Sequence, residues 1–310
     1  MLYSPLRYPG GKNKLSAFIA KLCIDNNVDG HYVEPYSGGA SVALFLLFEG
    51  FVNTITINDK DRSIYSFWYC VLNETDALCQ LILNAELTIE EWRKQKKIQI
   101  NKEHEDLLTL GFSTFYLNRT NRSGIINAGP IGGMEQNGTY LIDCRFNKED
   151  LISRIRLIAS RRNDIRLYGE DAVDLIEIIQ NESNNNNVIF YFDPPYYLKA
   201  SSLYMNHYQD KNHKIVSDKI KAINNIRWIV SYDNVPEINE LYNECSRKEF
   251  SFKHTAYKSR IGKEVMFFSN TLITPNLKNW SPTKFKLSKK KDKKEIIYVK
   301  LKTKSKESIC

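Results

Sequence analysis

The run Val188-Ile189-Phe190-Tyr191-Phe192, followed at once by Asp193-Pro194-Pro195-Tyr196, constrains the fold of this chain more than any other segment. An unbroken apolar run bounded by a turn reads as a buried strand, and the mouth of such a strand is where open α/β sheets bind ligands. Consecutive prolines donate no backbone N–H and hold φ near about −65°. The turn is therefore rigid, with a carboxylate before it and an aromatic ring behind it. Asp193 and the Pro194 carbonyl can each accept a hydrogen bond from an amino group, and the Tyr196 face can stack on a planar base at roughly 1–3 kcal/mol. These residues suit a nucleobase amine as ligand.

The rest of the chain alternates strand-like runs with helical periods, the βαβ pattern of a parallel sheet. His31 to Glu34 and Thr54 to Ile57 read as the first two strands, with Ala40 to Phe48 as the helix between them. From residue 62 the texture changes. Helical segments at 62–85, 88–99 (opened by Thr88 and Glu91 at capping-box spacing) and 103–118 follow one another with no strand between them. Gly124, Gly129, Gly132, Gly133 and Gly138 then mark turns or a hairpin. After a helix near 148–161 the alternation resumes with strands at Ile165–Tyr168, at the Asp193 run, at Trp228–Ser231, and as a final pair around Phe250 and Val265–Phe268. The expected organisation is a discontinuous sheet domain (1–61 plus 158–275), an inserted helical domain (62–157) and a lysine-rich tail (276–310).

Charge is unevenly placed. The formal net charge is +8, yet residues 276–310 hold twelve lysines against Asp292, Glu295 and Glu307, so the body is close to neutral. The tail either solvates the chain or contacts phosphate. No apolar stretch approaches the roughly 20 residues of a membrane span, and Met1-Leu2-Tyr3-Ser4-Pro5 lacks the layout of a secretory signal, so a cytosolic location is expected. Cys23, Cys70, Cys79, Cys144, Cys245 and Cys310 have neither metal-site nor disulfide-framework spacing and read as reduced, mostly packing residues, with no metal expected.

Gly38 and Gly39 lie between the first strand and its helix, where they either admit a ligand to backbone N–H groups or simply start the helix. Asp59 closes the second strand, a position from which a carboxylate can hold both hydroxyls of a ribose. Arg7-Tyr8-Pro9-Gly10-Gly11-Lys12 is not an ATP-type phosphate loop, because Leu6 and Asn13 stand where its first glycine and its Ser/Thr belong. Residues 197–214, with Lys199, Tyr204, His207, Tyr208 and His213, read as a long loop able to act as a lid. Both histidines are expected at surface or packing positions. Ser231-Tyr232-Asp233-Asn234 is expected to buttress the Asp193 turn.

Taken in order, Arg7 to Lys12, Val33-Glu34-Pro35-Tyr36-Ser37-Gly38-Gly39-Ala40-Ser41-Val42, Asn58-Asp59 and Asp193 to Tyr196 closely resemble the motifs of the Dam-like DNA adenine methyltransferases, over about residues 5–270. The resemblance implies a Rossmann-like S-adenosylmethionine-dependent methyltransferase sheet with an inserted, mainly helical target-recognition domain. It implies S-adenosylmethionine contacts from Tyr8, Lys12, Glu34, Gly38, Asp59 and Asp193, and a flipped adenine held by Asp193, Pro194 and Tyr196. The implied partner is double-stranded DNA, and a companion restriction endonuclease is left open. Tyr116-Leu117-Asn118-Arg119-Thr120-Asn121-Arg122-Ser123-Gly124-Ile125 is similar to the family's recognition segment, which assigns nucleic-acid contacts to Arg119, Asn121 and Arg122. Asn127-Ala128-Gly129-Pro130-Ile131-Gly132-Gly133 replaces the stretch found in GATC-reading members, so that specificity does not transfer. An RNA adenine or guanine methyltransferase and a catalytically silent DNA-binding relative are the alternatives.

Overall fold

The computed structural model describes residues 2–7, 12–182, 187–197, 209–254, 260–277 and 280–287. Seven strands form one sheet: β1 (His31–Glu34), β2 (Thr54–Asn58), β3 (Ile165–Tyr168), β4 (Val188–Phe192), β5 (Arg227–Asp233), β6 (Ser246–His254) and β7 (Arg260–Phe268). Their spatial order is β3-β2-β1-β4-β5-β7-β6. The first five run parallel, and β7 lies antiparallel between β5 and β6. The order reverses between β1 and β4, which places the end of β4 at a topological switch point.

The apolar β4 run is explained by two cores. Ile189 and Tyr191 belong to one hydrophobic cluster, whereas Val188, Phe190 and Phe192 belong to a second. Side chains alternate between the faces of a strand, so a strand covered on both faces has no position for water. The first face is covered by α1 (Ser16–Asp25), α2 (Ser41–Phe48) and α3 (Arg62–Asn73), and the second by α8 (Ala172–Glu182), α9 (Asp210–Lys221) and α10 (Pro236–Leu241).

The insertion comprises α3, α4 (Thr75–Asn84), α5 (Ile89–Ile100), α6 (Leu107–Thr120) and α7 (Lys148–Ala159). Four of its five helices begin at side-chain caps: Asp61 accepts from the Ser63 N–H, Thr88 from Glu91, Asp106 from Thr109 and Asn147 from Asp150. Each such cap contributes about 1 kcal/mol. The insertion builds no separate core. Phe67 of α3 stacks on Phe115 of α6 at 5.8 Å, and both belong to the cluster that backs the sheet. Gly111 lets α6 approach α3 closely, since a Cβ there would lie 2.6 Å from Cys70 Sγ and 2.7 Å from the Ser66 carbonyl.

Several expectations need correction. The segment 62–85 is two helices, broken at Glu74. The helix expected at 103–118 starts at Leu107 because Asp106 caps it. The glycine-rich stretch forms turns with one isolated bridge, Asn121 to Pro130, and no strand pair. The expected loop 197–214 is cut short by α9, on which His213 is buried with Nδ1 3.0 Å from the Tyr232 hydroxyl. Lys199, Tyr204, His207 and Tyr208 lie outside the described residues. The body also extends past residue 275: Leu277, Trp280, Phe285 and Leu287 pack on the first core, with Trp280 edge-on to Phe18 at 5.4 Å. Cys144 is exposed rather than packed. No helix among the described residues is long and apolar enough to cross a membrane.

Candidate active site

Three strand ends converge at the switch point. At the end of β4 the Asp193 side chain is 22% exposed, whereas Pro194 and Tyr196 are buried. Asp193 Oδ1 accepts the Ser231 hydroxyl at 2.8 Å and lies 3.0 Å from the Lys12 ammonium. Ser231 in turn lies 2.9 Å from the Tyr191 hydroxyl. One residue past the motif, the Tyr197 N–H donates to Asp233 Oδ1 at 3.0 Å. The β5 end thus buttresses the turn through both Ser231 and Asp233. Burial raises the Asp193 carboxyl above its usual range, with Glu264 adding to the rise and Lys12 opposing it.

The Tyr196 ring differs from its expected role as an open stacking surface. It is 2% exposed, with the Lys12 ammonium 4.7 Å from its centroid. A buried phenol requires hydrogen-bond partners, and Lys12 and Glu264 supply them, each 2.5 Å from the hydroxyl. Lys12, expected at a cofactor, accordingly lies against Asp193, Tyr196 and Glu264. Tyr8 lies outside the described residues.

At the ends of β1 and β2 a second group of polar atoms gathers. Asp59 Oδ2 accepts the Gly38 N–H and Oδ1 the Asp61 N–H, both at 3.0 Å, and the carboxylate stays partly exposed. Burial first and repulsion from Asp61 second push its pKa up to about 7. Gly38 (φ 44°) and Ala40 (φ 47°) both adopt left-handed backbone, which is strained for alanine. The Trp68 indole fixes the turn by donating to the Gly38 carbonyl at 2.8 Å. Ser37 Oγ is buried there without a hydrogen-bond partner among the described residues. Glu34 Oε1 accepts the Tyr32 hydroxyl and the Ala43 N–H in the first turn of α2, and burial pushes its pKa up to about 8.

The segment expected to contact nucleic acid lies at the end of α6. Arg122 is exposed, with Nε donating to the Pro130 carbonyl. Arg119 is half-buried, and desolvation together with Arg7 and Arg154 lowers its guanidinium to about 10. Asn121, expected at nucleic acid, has its amide engaged within the protein. It is fully buried, accepts from the Trp92 indole and donates to the Ile125 and Ile126 carbonyls, so it shapes the turn instead.

Two residues carry roles that the sequence reading did not assign, Asn118 although it stands in the quoted segment and Glu264 outside every motif. Asn118 Oδ1 accepts the Arg7 N–H, and its Nδ2 donates to the Arg7 and Gly124 carbonyls, which ties the insertion to the N-terminal motif. Glu264 is fully buried in β7 beside Lys12. A carboxylate heading the apolar run Val265-Met266-Phe267-Phe268 was the only signal of it in the sequence.

Among the described residues no group of three His, Cys, Asp or Glu is placed to hold a metal. Residues 8–261 match the family described as D12 class N6 adenine-specific DNA methyltransferase. No curated protein matches the chain.

Proposed function

Because the chain belongs to the D12 class N6 adenine-specific DNA methyltransferases, an enzyme family that methylates adenine in DNA at specific sites, we propose that its methyl donor is S-adenosylmethionine, held at the ends of β1 and β2, and that an everted adenine presents its amine to Asp193. The mixed sheet is consistent with the Rossmann-like methyltransferase fold. The observation that carries the reading is the Asp193 carboxylate, fixed by Ser231 at the switch point and still partly exposed.

The residues at β1 and β2 fit such a donor. Asp59 keeps acceptor capacity toward a ribose, and the buried Ser37 hydroxyl without a hydrogen-bond partner marks a polar position in the same turn. When bound, the donor supplies an electrophilic methyl group on a positively charged sulfur. The protein's share is orientation and electrostatics. An adenine amine is a poor nucleophile because its lone pair delocalises into the ring. Accepting hydrogen bonds from its two N–H groups at Asp193 and the Pro194 carbonyl draws the nitrogen toward sp³ character and frees that pair, and Asp193 can take up the one proton that the nitrogen sheds once methylated. Eversion costs a few kcal/mol, which the two hydrogen bonds help to offset. With Tyr196 buried, its contribution is to hold Lys12 rather than to stack.

The insertion 62–157 reads the target in this proposal, with Arg119 and Arg122 contacting phosphate or base edges. Family membership favours DNA over RNA and an active enzyme over a silent relative.

Asp59→Ala tests the donor site. It is expected to weaken S-adenosylmethionine binding by roughly 100-fold, the equivalent of two hydrogen bonds, while kcat at saturating donor stays near wild type. Calorimetric titration checks the affinity. An unchanged dissociation constant would move the ribose away from β2.

A further inference from the structure

Glu264 is buried against Lys12 and Tyr196, beside Asp193, and the proposed transfer gives it no role. Burying a carboxylate is unfavourable unless it is compensated, and β7 otherwise continues here with Val265 and Met266, so an apolar side chain would suit the sheet. Its register partners are Asp233 on β5 and Phe250 on β6. Its oxygens serve different ends. Oε1 receives the Tyr196 hydroxyl at 2.5 Å, whereas Oε2 stands 3.6 Å from the Lys12 ammonium, close enough for an ion pair but beyond a hydrogen bond. The ammonium meanwhile lies 3.0 Å from Asp193 Oδ1.

An ammonium on Asp193 conflicts with the chemistry. It occupies acceptor capacity that the adenine amine requires, and its charge opposes the positive charge that develops on the nitrogen during transfer. Lys12 must therefore withdraw, and a buried ammonium withdraws only toward another acceptor. We propose that Glu264 is a positioning residue that receives the Lys12 ammonium when the adenine amine takes its place on Asp193. The Tyr196 hydroxyl bonds both Lys12 and Glu264, so the ammonium can shift between the carboxylates without losing that contact. No proton or covalent bond changes hands. The inference rests on the reading of Asp193 as the amine acceptor.

The test is a set of variants read by the pH profile of kcat. Among the described residues the charged and titratable groups around Asp193 include Lys12 before α1, Glu264 on β7, Tyr191 on β4, Glu34 on β1 and Tyr196, whose hydroxyl joins Lys12 to Glu264. Glu264 raises the Asp193 pKa and Lys12 lowers it. Glu264→Gln keeps the acceptor for Tyr196 but loses the charge that draws Lys12. It is expected to lower kcat by roughly 10- to 100-fold, with donor and DNA affinities within about threefold. Its acidic limb should move to lower pH, because the charge repelling the Asp193 carboxylate is gone. Glu264→Asp retains the charge and should recover most of the rate with the limb in its original place. Wild-type turnover in Glu264→Gln overturns the proposal, as do equal losses in both variants with an unmoved limb, which would indicate packing alone. If Glu264→Gln does not fold, Tyr196→Phe carries the test: a lowered kcat supports the proposal, and an unchanged kcat overturns it. Full turnover in Asp193→Ala would instead remove the reading underneath, whereas an inactive Asp193→Ala beside an unaffected Glu264→Gln overturns this inference alone.

Discussion

Asp193→Ala is expected to lower kcat by a factor of about 10³ or more, the scale of removing a charged group aimed at developing charge in a desolvated site. The donor dissociation constant should change little, because the ribose contact proposed for Asp59 is on a different strand. The fold should survive as well. Lys12 retains Glu264 as an ion-pair partner at 3.6 Å, so the substitution does not strip the ammonium of a carboxylate. Single-turnover assays with duplex DNA, with a thermal melt alongside, check both halves. Turnover within about tenfold of wild type would mean that the amine is held elsewhere.

The second large effect is expected at Asn118, in stability and not in chemistry. Its amide satisfies the Arg7 N–H at 2.7 Å, the Arg7 carbonyl at 2.8 Å and the Gly124 carbonyl at 2.9 Å, and the side chain is 1% exposed. Asn118→Leu preserves volume and removes all three bonds. Each buried backbone group left unsatisfied costs about 1–3 kcal/mol, so a total of about 3–5 kcal/mol after relaxation is expected, on the order of a 10 °C fall in Tm. The packing leaves little room to adjust, because Gly124 has φ 75° and a Cβ there would stand 2.2 Å from the Arg7 carbonyl. Arg7 opens the motif Arg7 to Lys12, so KM for the donor should rise together with the loss of stability. Differential scanning calorimetry and donor titration check the pair of effects. An unchanged Tm with weakened DNA binding would make Asn118 a DNA contact and not a clamp.

The elements that carry strong local patterns were legible in the sequence. The β-branched run at Thr54, the unbroken apolar run at Val188 and the Thr88 cap specify their own structure and appear where expected. Asn58 was legible only as part of a motif, although its amide bridges the Pro35 and Glu170 carbonyls and so joins β2 to the turn after β3. The helix α9 was missed because its segment is polar, and His213 and Val216 become core residues only once Tyr232 and the β5 face are placed beside them. Tyr196 was misjudged for a related reason: its motif shows an aromatic ring but not which neighbours will enclose it.

The sequence by itself determined the sheet, the glycine turn, the carboxylates at the ends of β2 and β4, and the family to which their order belongs, because each rests on residues adjacent along the chain. Only the tertiary structure decided which charges meet. Lys12, Asp193 and Glu264 come from three segments far apart along the chain, and no local pattern encodes their distances. Whether Asn121 touches a ligand or completes a turn, and whether Tyr196 stacks or anchors an ammonium, depends on burial, and burial is set by the long-range packing of strands and helices.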